Sequence, residues 1–141
     1  TESSKEKVSL KSELEYISDY IDLQKLRLTK NTQIDYKISG SIENQTIAPL
    51  LFIPIIENCF KYGVNQTENV VIKIHISVDQ NEISLETSNK KAAKNISELE
   101  KTETGIINTQ KRLDILYLNN YNLQINNTDT DYHVKLNIHL K

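Results

Sequence analysis

Four polar side chains share one face of a short apolar stretch, Pro49 to Gly63. On a helix turning about 100° per residue, with Glu57 at zero, Lys61, Asn58 and Tyr62 fall at roughly 40°, 100° and 140°. Phe52, Ile53, Ile55, Ile56, Cys59 and Phe60 fill the arc from roughly 160° to 320°. An acid, an amide, an ammonium and a phenol therefore stand together opposite a fully apolar face. An ordinary amphipathic helix with a solvated polar side accounts for the periodicity equally well. The residue types say more: an Asn amide oxygen suits hard Mg²⁺ and a Lys suits phosphate, a pairing that describes a nucleotide site. Pro49 suits helix entry, and Pro54, which has no N–H to donate, either puts the start of regular helix near itself or kinks it there. Gly63 supplies a left-handed stop.

A second candidate lies downstream. The stretch 88–104 is polar, lysine-rich and nearly free of apolar residues, which predicts a long loop with a short helical piece at 96–99. Gly105 follows it and is expected to open a helix, where free backbone amides and the positive helix end make an anion site. Other chemistries lack their parts. His75, His133 and His139 are expected on the wet side of strands, and the last two stand six residues apart, about 20 Å, too far to share a metal. Cys59 points into the core, and no serine sits in a strained elbow. With only three glycines in the chain, a Walker-type phosphate loop is excluded.

The elements that must position these residues read clearly. Leu10, Leu14, Ile17, Ile21 and Leu28 form a helical seam, capped by Ser9 or Ser12; it is either packed on its own domain or the tail of a dimerisation bundle. Ile34, Tyr36 and Ile38 alternate as a strand ending at Gly40. Val70 to Val78 and Glu82 to Thr87 alternate as a hairpin about 79–81. A helix from Gly105 to Tyr117 buries Ile106, Thr109, Leu113, Leu116 and Tyr117, and a last hairpin carries Tyr121, Leu123, Ile125 and then Tyr132 to Leu140. The expected fold is α+β: helices on one face of a mixed, mostly antiparallel sheet of about five strands, the other face wet, plus the N-terminal helix.

Composition sets the outer bounds. The 141 residues carry 17 Lys plus Arg against 19 Asp plus Glu, a net charge of −2. That balance implies no general attraction to nucleic acid or anionic membrane. A single cysteine excludes an internal disulfide and fits a buried thiol in a reducing compartment. No apolar run approaches the ~20 residues that span a bilayer. The four Asn-x-Ser/Thr triplets, at Asn44, Asn65, Asn95 and Asn126, are expected by chance in an Asn-rich chain. The chain begins without Met, in Thr1-Glu2-Ser3-Ser4, as expected of a fragment.

At this point three phrases carry a family resemblance. Ile56-Glu57-Asn58-Cys59-Phe60-Lys61-Tyr62-Gly63 resembles the asparagine box of the GHKL ATPases, and Pro49-Leu50-Leu51 leading into Pro54 narrows it to LytS-like sensor histidine kinases. Glu13-Leu14-Glu15 through Tyr20 to Arg27 resembles the end of that family's dimerisation and phosphoacceptor region. Gly105-Ile106-Ile107-Asn108 with Lys111-Arg112-Leu113-Asp114-Ile115-Leu116-Tyr117 resembles its second glycine box and the helix behind it. The phrases fall in the family's order over nearly the whole chain.

The resemblance implies a two-layer Bergerat ATP-binding fold, with 1–30 ending the dimerisation region and 31–141 forming the catalytic domain. It implies ATP and Mg²⁺ as cofactors, with phosphoryl transfer to a histidine upstream of this fragment. Asn58 would hold Mg²⁺, Glu57 would polarise the acceptor histidine, Lys61 would meet phosphate and Tyr62 would flank adenine or ribose. Ser88 and Asn89 stand where the family places its adenine-binding Asp, and Gly105 with Ile106 would cradle phosphate under a lid at 89–104. A response regulator of the LytTR DNA-binding type would be the partner, with self-association in the full-length protein. The fragment itself would bind no nucleic acid and would lie in the cytoplasm as part of an inner-membrane protein. Two departures matter: Ser88-Asn89-Lys90 has neither the family's Asp nor its glycines, and Glu103 replaces a first glycine. The alternative is a degenerate signalling or dimerisation module of the same fold.

Overall fold

The computed structural model describes residues 6–62, 69–91 and 96–140, giving the backbone alone at 62 and 96–104. The stop expected at Gly63 lies outside the described residues. The first element is a two-residue strand, β1 (Val8–Ser9), which leads directly into helix α1 (Leu10–Lys25). Ser9 caps α1: its backbone is extended and its Oγ accepts the Ser12 N–H at 3.1 Å. Strand β2 (Thr32–Gly40) follows, then a second two-residue strand, β3 (Thr46–Ile47), paired with β1. Helix α2 (Ile53–Tyr62) places Pro54 in its first turn, where a missing N–H costs nothing.

Strands β4 (Val70–Val78) and β5 (Glu82–Lys90), helix α3 (Ile96–Leu116) and strands β6 (Tyr121–Asn127) and β7 (Asp131–His139) complete the chain. Five of the strands form one sheet in the order β2-β4-β5-β7-β6. Only β2 and β4 run parallel; the other neighbours are antiparallel. This is the expected α+β arrangement, with one sheet face dry and the other wet.

Alternation decides the dry face. Ile72, Ile74, Ile76 and Val78 of β4, Ile83 and Leu85 of β5, and Val134, Leu136 and Ile138 of β7 are all buried in one cluster with the helices, and Val70 of β4 is buried as well. The seam of α1 enters the same cluster: Leu10, Ile17 and Ile21 are fully buried and Leu14 nearly so. Those buried side chains pack α1 on this domain. Tyr20 meets Phe60 of α2 edge to face, with ring centroids 6.0 Å apart, and the Ser18 and Tyr36 hydroxyls bond at 2.8 Å.

Corrections concern the segment 88–104. It is not one long loop. Pairing with β7, through Asn89 with Tyr132 and Lys90 with Asp131, carries β5 on to Lys90. Residues 92–95 lie outside the described residues, and α3 already begins at Ile96. Gly105 is therefore interior to a 21-residue helix and not its first residue, so its backbone amide belongs to the helix ladder. The free amides expected of an anion site at Gly105 are absent there.

The wet face is a polar lattice across four strands. His133 Nε2 donates to Glu86 Oε2 at 2.8 Å, and Lys73 Nζ lies 3.9 Å from the other oxygen of Glu86. His75 Nε2 stands 3.1 Å from Asp35 Oδ2, close enough for an ion pair yet poorly aligned as a hydrogen bond. All three histidines lie on this face as expected, and no cluster of His, Cys, Asp or Glu among the described residues could hold a metal. The hydrogen bond from His133 holds the Glu86 carboxyl below its usual range, with partial burial opposing and Lys73 adding. A carboxylate lowered by folding contributes stability above its unfolded pKa and loses it as pH falls through the folded one. We expect Glu86→Gln to lower stability at neutral pH by under ~1 kcal/mol, the range for exposed pairs. The variant should also flatten the acid limb of a urea-midpoint titration below pH 4.5, and an unchanged limb would refute the assignment.

Candidate functional site

Three elements converge on the phrase that carried the chemistry. Helix α2 packs on β5 below it and against α3 beside it. Its apolar face is as read from the sequence: Phe52, Ile53, Ile55, Ile56, Cys59 and Phe60 are all buried. Burial pushes the Cys59 thiol up to about 12, so it is a packing group and no nucleophile at neutral pH.

The polar face divides. Lys61 is exposed and Glu57 is half-exposed. Glu57 reaches toward Tyr20 of α1, whose phenol is pushed up to about 12, first by burial and then by the Glu57 carboxylate. The Tyr62 side chain lies outside the described residues. Asn58 differs from the expectation of an open polar face: only 3 % of its surface is exposed, and its Nδ2 is buried without a partner. Helical periodicity put Asn58 away from the apolar arc; packing against β5 and α3 is what covers it.

Strand β5 supplies two more polar atoms of the same kind. Thr87 is fully buried and Asn89 is 4 % exposed, both on the helix-facing side with Ile83 and Leu85. The Thr87 hydroxyl leans toward the Cys59 sulfur, too poorly aligned to count as a hydrogen bond. Asn89 spends its Nδ2 on the Lys90 carbonyl at 3.1 Å, which leaves Oδ1 buried and unpartnered. Ser88, expected in the site, is corrected by the same alternation: it points to the wet face, between Lys73 and His133. The missed residue is Thr87, and its signal was present, since it continues the inward sequence Ile83, Leu85.

On α3, Ile106 is buried in the core and Thr109, one turn beyond Gly105, is buried as well. A Cβ built at Gly105 would meet nothing within 4 Å, so no internal packing demands a glycine there. The entry to α2 is held from two sides. Leu50 adopts φ 61°, a strained value for a residue with a Cβ. Its N–H donates to Glu13 Oε2 of α1 at 2.9 Å, and its carbonyl accepts from Arg112 Nη1 of α3 at 3.2 Å. Burial raises the Glu13 pKa, while the Leu50 N–H and the Arg112 charge oppose that rise. Three separate phrases of the sequence thus meet at one residue.

Buried polar groups are nearly always satisfied, and leaving one unmade costs about 1–3 kcal/mol. Asn58 Nδ2, Thr87 Oγ1 and Asn89 Oδ1, unpartnered on facing elements, are groups that a polar ligand between those elements would satisfy. Asn58 fits Mg²⁺ with phosphate, since its amide offers one neutral oxygen to the metal and an N–H₂ to a phosphate oxygen.

Known proteins bear on this geometry. No protein-family model matches the chain. The sensor protein LytS of Streptococcus mutans is 25% identical over 86% of this chain, which spans 23% of that protein. The sensor protein kinase HptS of Staphylococcus aureus is 32% identical over 71 residues, half of this chain and 14% of its own length. Among solved structures, the catalytic domain of histidine kinase ThkA superposes with TM-score 0.61 at 13% identity, covering 95% of this chain and 94% of that one. ThkA in complex with the response regulator TrrA gives 0.55 at 13% identity, over 96% of this chain and 42% of that one. Full-length ShkA in complex with AMPPNP gives 0.62 at 9% identity, over 96% and 31%. At such identities the solved structures show the fold; the sequence likeness to the two sensor proteins narrows it. In sequence the chain is similar to part of the LytS and HptS sensor proteins, and in fold it is like the catalytic domains of histidine kinases.

Proposed function

We propose that this domain binds ATP with Mg²⁺ where α2, β5 and α3 meet and transfers the γ-phosphoryl group to a histidine elsewhere in the longer protein. The observation that carries the reading is the set of buried, unpartnered polar atoms at Asn58, Thr87 and Asn89. Mg²⁺, when bound, supplies charge neutralisation along the phosphates. Asn58 is its ligand in this chain. Lys61, exposed at the end of α2, reaches for phosphate as a point charge, and Tyr62 flanks the nucleoside. Asn89 Oδ1, a buried acceptor left over once its own Nδ2 bonds the Lys90 carbonyl, suits the exocyclic amine of adenine, a role that Ser88 on the other sheet face does not share. Gly105 offers a side of α3 with room beside it, while Ile106 anchors that stretch of the helix in the core. Glu57 polarises the acceptor histidine. Chemistry of this kind rests on positioning and charge neutralisation, with little covalent work for the protein.

We also read residues 1–30, packed on this domain through α1, as the end of a dimerisation and phosphoacceptor region of a longer protein; that the chain spans 23% and 14% of the two sensor proteins supports the longer protein. A response regulator, of the LytTR type, receives the phosphoryl group. The domain sits on the cytoplasmic side of the inner membrane; among the described residues no helix is long and apolar enough to cross one.

A second reading, a degenerate signalling module, is favoured by the continuous α3 through Gly105, which leaves no nest of free amides for phosphate. Titration with a fluorescent ATP analogue separates the two. We expect weak binding that requires Mg²⁺ and is competed by ATP. Absence of binding at millimolar nucleotide would leave the degenerate module as the answer.

A further inference from the structure

The sheet ends at β6, and the two edges of the sheet differ in kind. The β2 edge carries Asp35 and Lys37, charges of the sort that keep strand edges from pairing. The β6 edge reads Tyr121-Asn122-Leu123-Gln124-Ile125-Asn126-Asn127 and carries no charge and no proline.

Its backbone is free in a regular pattern. At one end of the ladder the Asn120 carbonyl accepts the His139 N–H at 2.8 Å; at the other the Thr128 N–H donates to the Asp131 carbonyl at 2.9 Å. Between them the register runs without a bulge from Tyr121 opposite Ile138 to Asn127 opposite Tyr132. Antiparallel ladders alternate, so Asn122, Gln124 and Asn126 spend their N–H and C=O on β7, while Tyr121, Leu123, Ile125 and Asn127 turn theirs outward.

We propose that β6 pairs antiparallel with β6 of a second copy of this chain, across a two-fold axis at Gln124, making one continuous sheet of the two. That register sets Leu123 against the partner's Ile125 and Tyr121 against the partner's Asn127, four outward-turned residues that can exchange backbone bonds. It sets Gln124 against the partner's Gln124 and Asn122 against the partner's Asn126 at the close positions, where Cα atoms come within about 4.5 Å. An amide is donor and acceptor at once and can face its own copy, which a lysine or a glutamate cannot. On the helix side the apolar pairing covers Ile125, now 37% exposed. Isologous contacts need this self-complementarity at every position, and all seven residues of β6 supply it. An acidic or basic peptide would find no counter-charge on this edge. The contact is small, below the ~1,200 Å² of stable complexes, so the dimer is weak. It is independent of nucleotide binding.

Sedimentation velocity from ~10 μM to ~1 mM tests the proposal, in the range expected of a small interface. We expect reversible dimerisation. Gln124 is exposed, so Gln124→Lys should fold normally and weaken the dimer at least about tenfold by setting two ammonium groups face to face. An equimolar mixture of Gln124→Lys and Gln124→Glu should restore it as a heterodimer. Ile125→Pro removes an outward N–H that β7 does not use and should also give monomer. A monomer throughout the range, a dimer that persists in both variants, or no rescue on mixing would overturn the two-fold β6 contact.

Discussion

Asn58→Ala should lose Mg²⁺-dependent nucleotide binding while the domain stays within about 1 kcal/mol of wild-type stability. The two halves of that expectation have one cause. Asn58 is buried with its Nδ2 unpartnered, so the folded protein bears the cost of desolvating that NH₂ group with no bond from it in return. Truncation removes that cost and leaves a small void, and the two effects oppose each other. Binding has no such compensation, because Mg²⁺ uses few protein ligands and this amide is the neutral oxygen the α2 face offers. Loss of one such contact should weaken ATP-analogue affinity by at least about tenfold and erase its Mg²⁺ dependence. The comparison is Ile56→Ala, two positions earlier on the apolar face and fully buried, which should cost about 2–5 kcal/mol of stability. If Asn58→Ala bound nucleotide with unchanged Mg²⁺ dependence, the assignment of the site would fall. If it destabilised the fold as Ile56→Ala does, Asn58 would be a structural group.

Ile17→Ala should lower the unfolding free energy of the domain by about 2–4 kcal/mol in urea titration. Ile17 is fully buried on α1, within the same cluster as α2 and the sheet. A bundle helix docked loosely on a neighbouring domain would fray alone, and the substitution would leave the main transition where it was. Here α1 is tied in at both ends of its buried face. Its first residue donates to the Gln45 carbonyl at 2.8 Å, Glu13 holds Leu50, and Tyr20 stacks on Phe60. One cooperative transition, shifted as a whole, is the expected trace. Two transitions, with the larger unmoved, would show that α1 is a separate unit.

Much of this protein was fixed by local pattern. Alternation in Val70–Val78, Ile83–Leu85 and Tyr132–Leu140 named the dry face correctly, because a strand's side chains have a period of two wherever it pairs. The apolar arc of α2 and the inert Cys59 followed from helical periodicity in the same way. The small β1–β3 pair was not legible, since two residues carry no period. The limits of β5 and α3 were misread for a related reason. Polar residues after Thr87 look like a loop, yet β7 supplies bonding partners as far as Lys90, and that pairing is a property of residues 40 positions away. Gly105 looks like a helix start, yet a helix tolerates one glycine at about 1 kcal/mol when residues on both sides continue it. The strand's extension adds Asn89 to the inward sequence Ile83, Leu85, Thr87 and leaves Ser88 on the wet face. Periodicity likewise gave Asn58 its direction on α2 and not its environment. Whether that amide met water or sat buried and unpartnered depended on what β5 and α3 brought against it, because burial belongs to the packed layers and no single helix carries it.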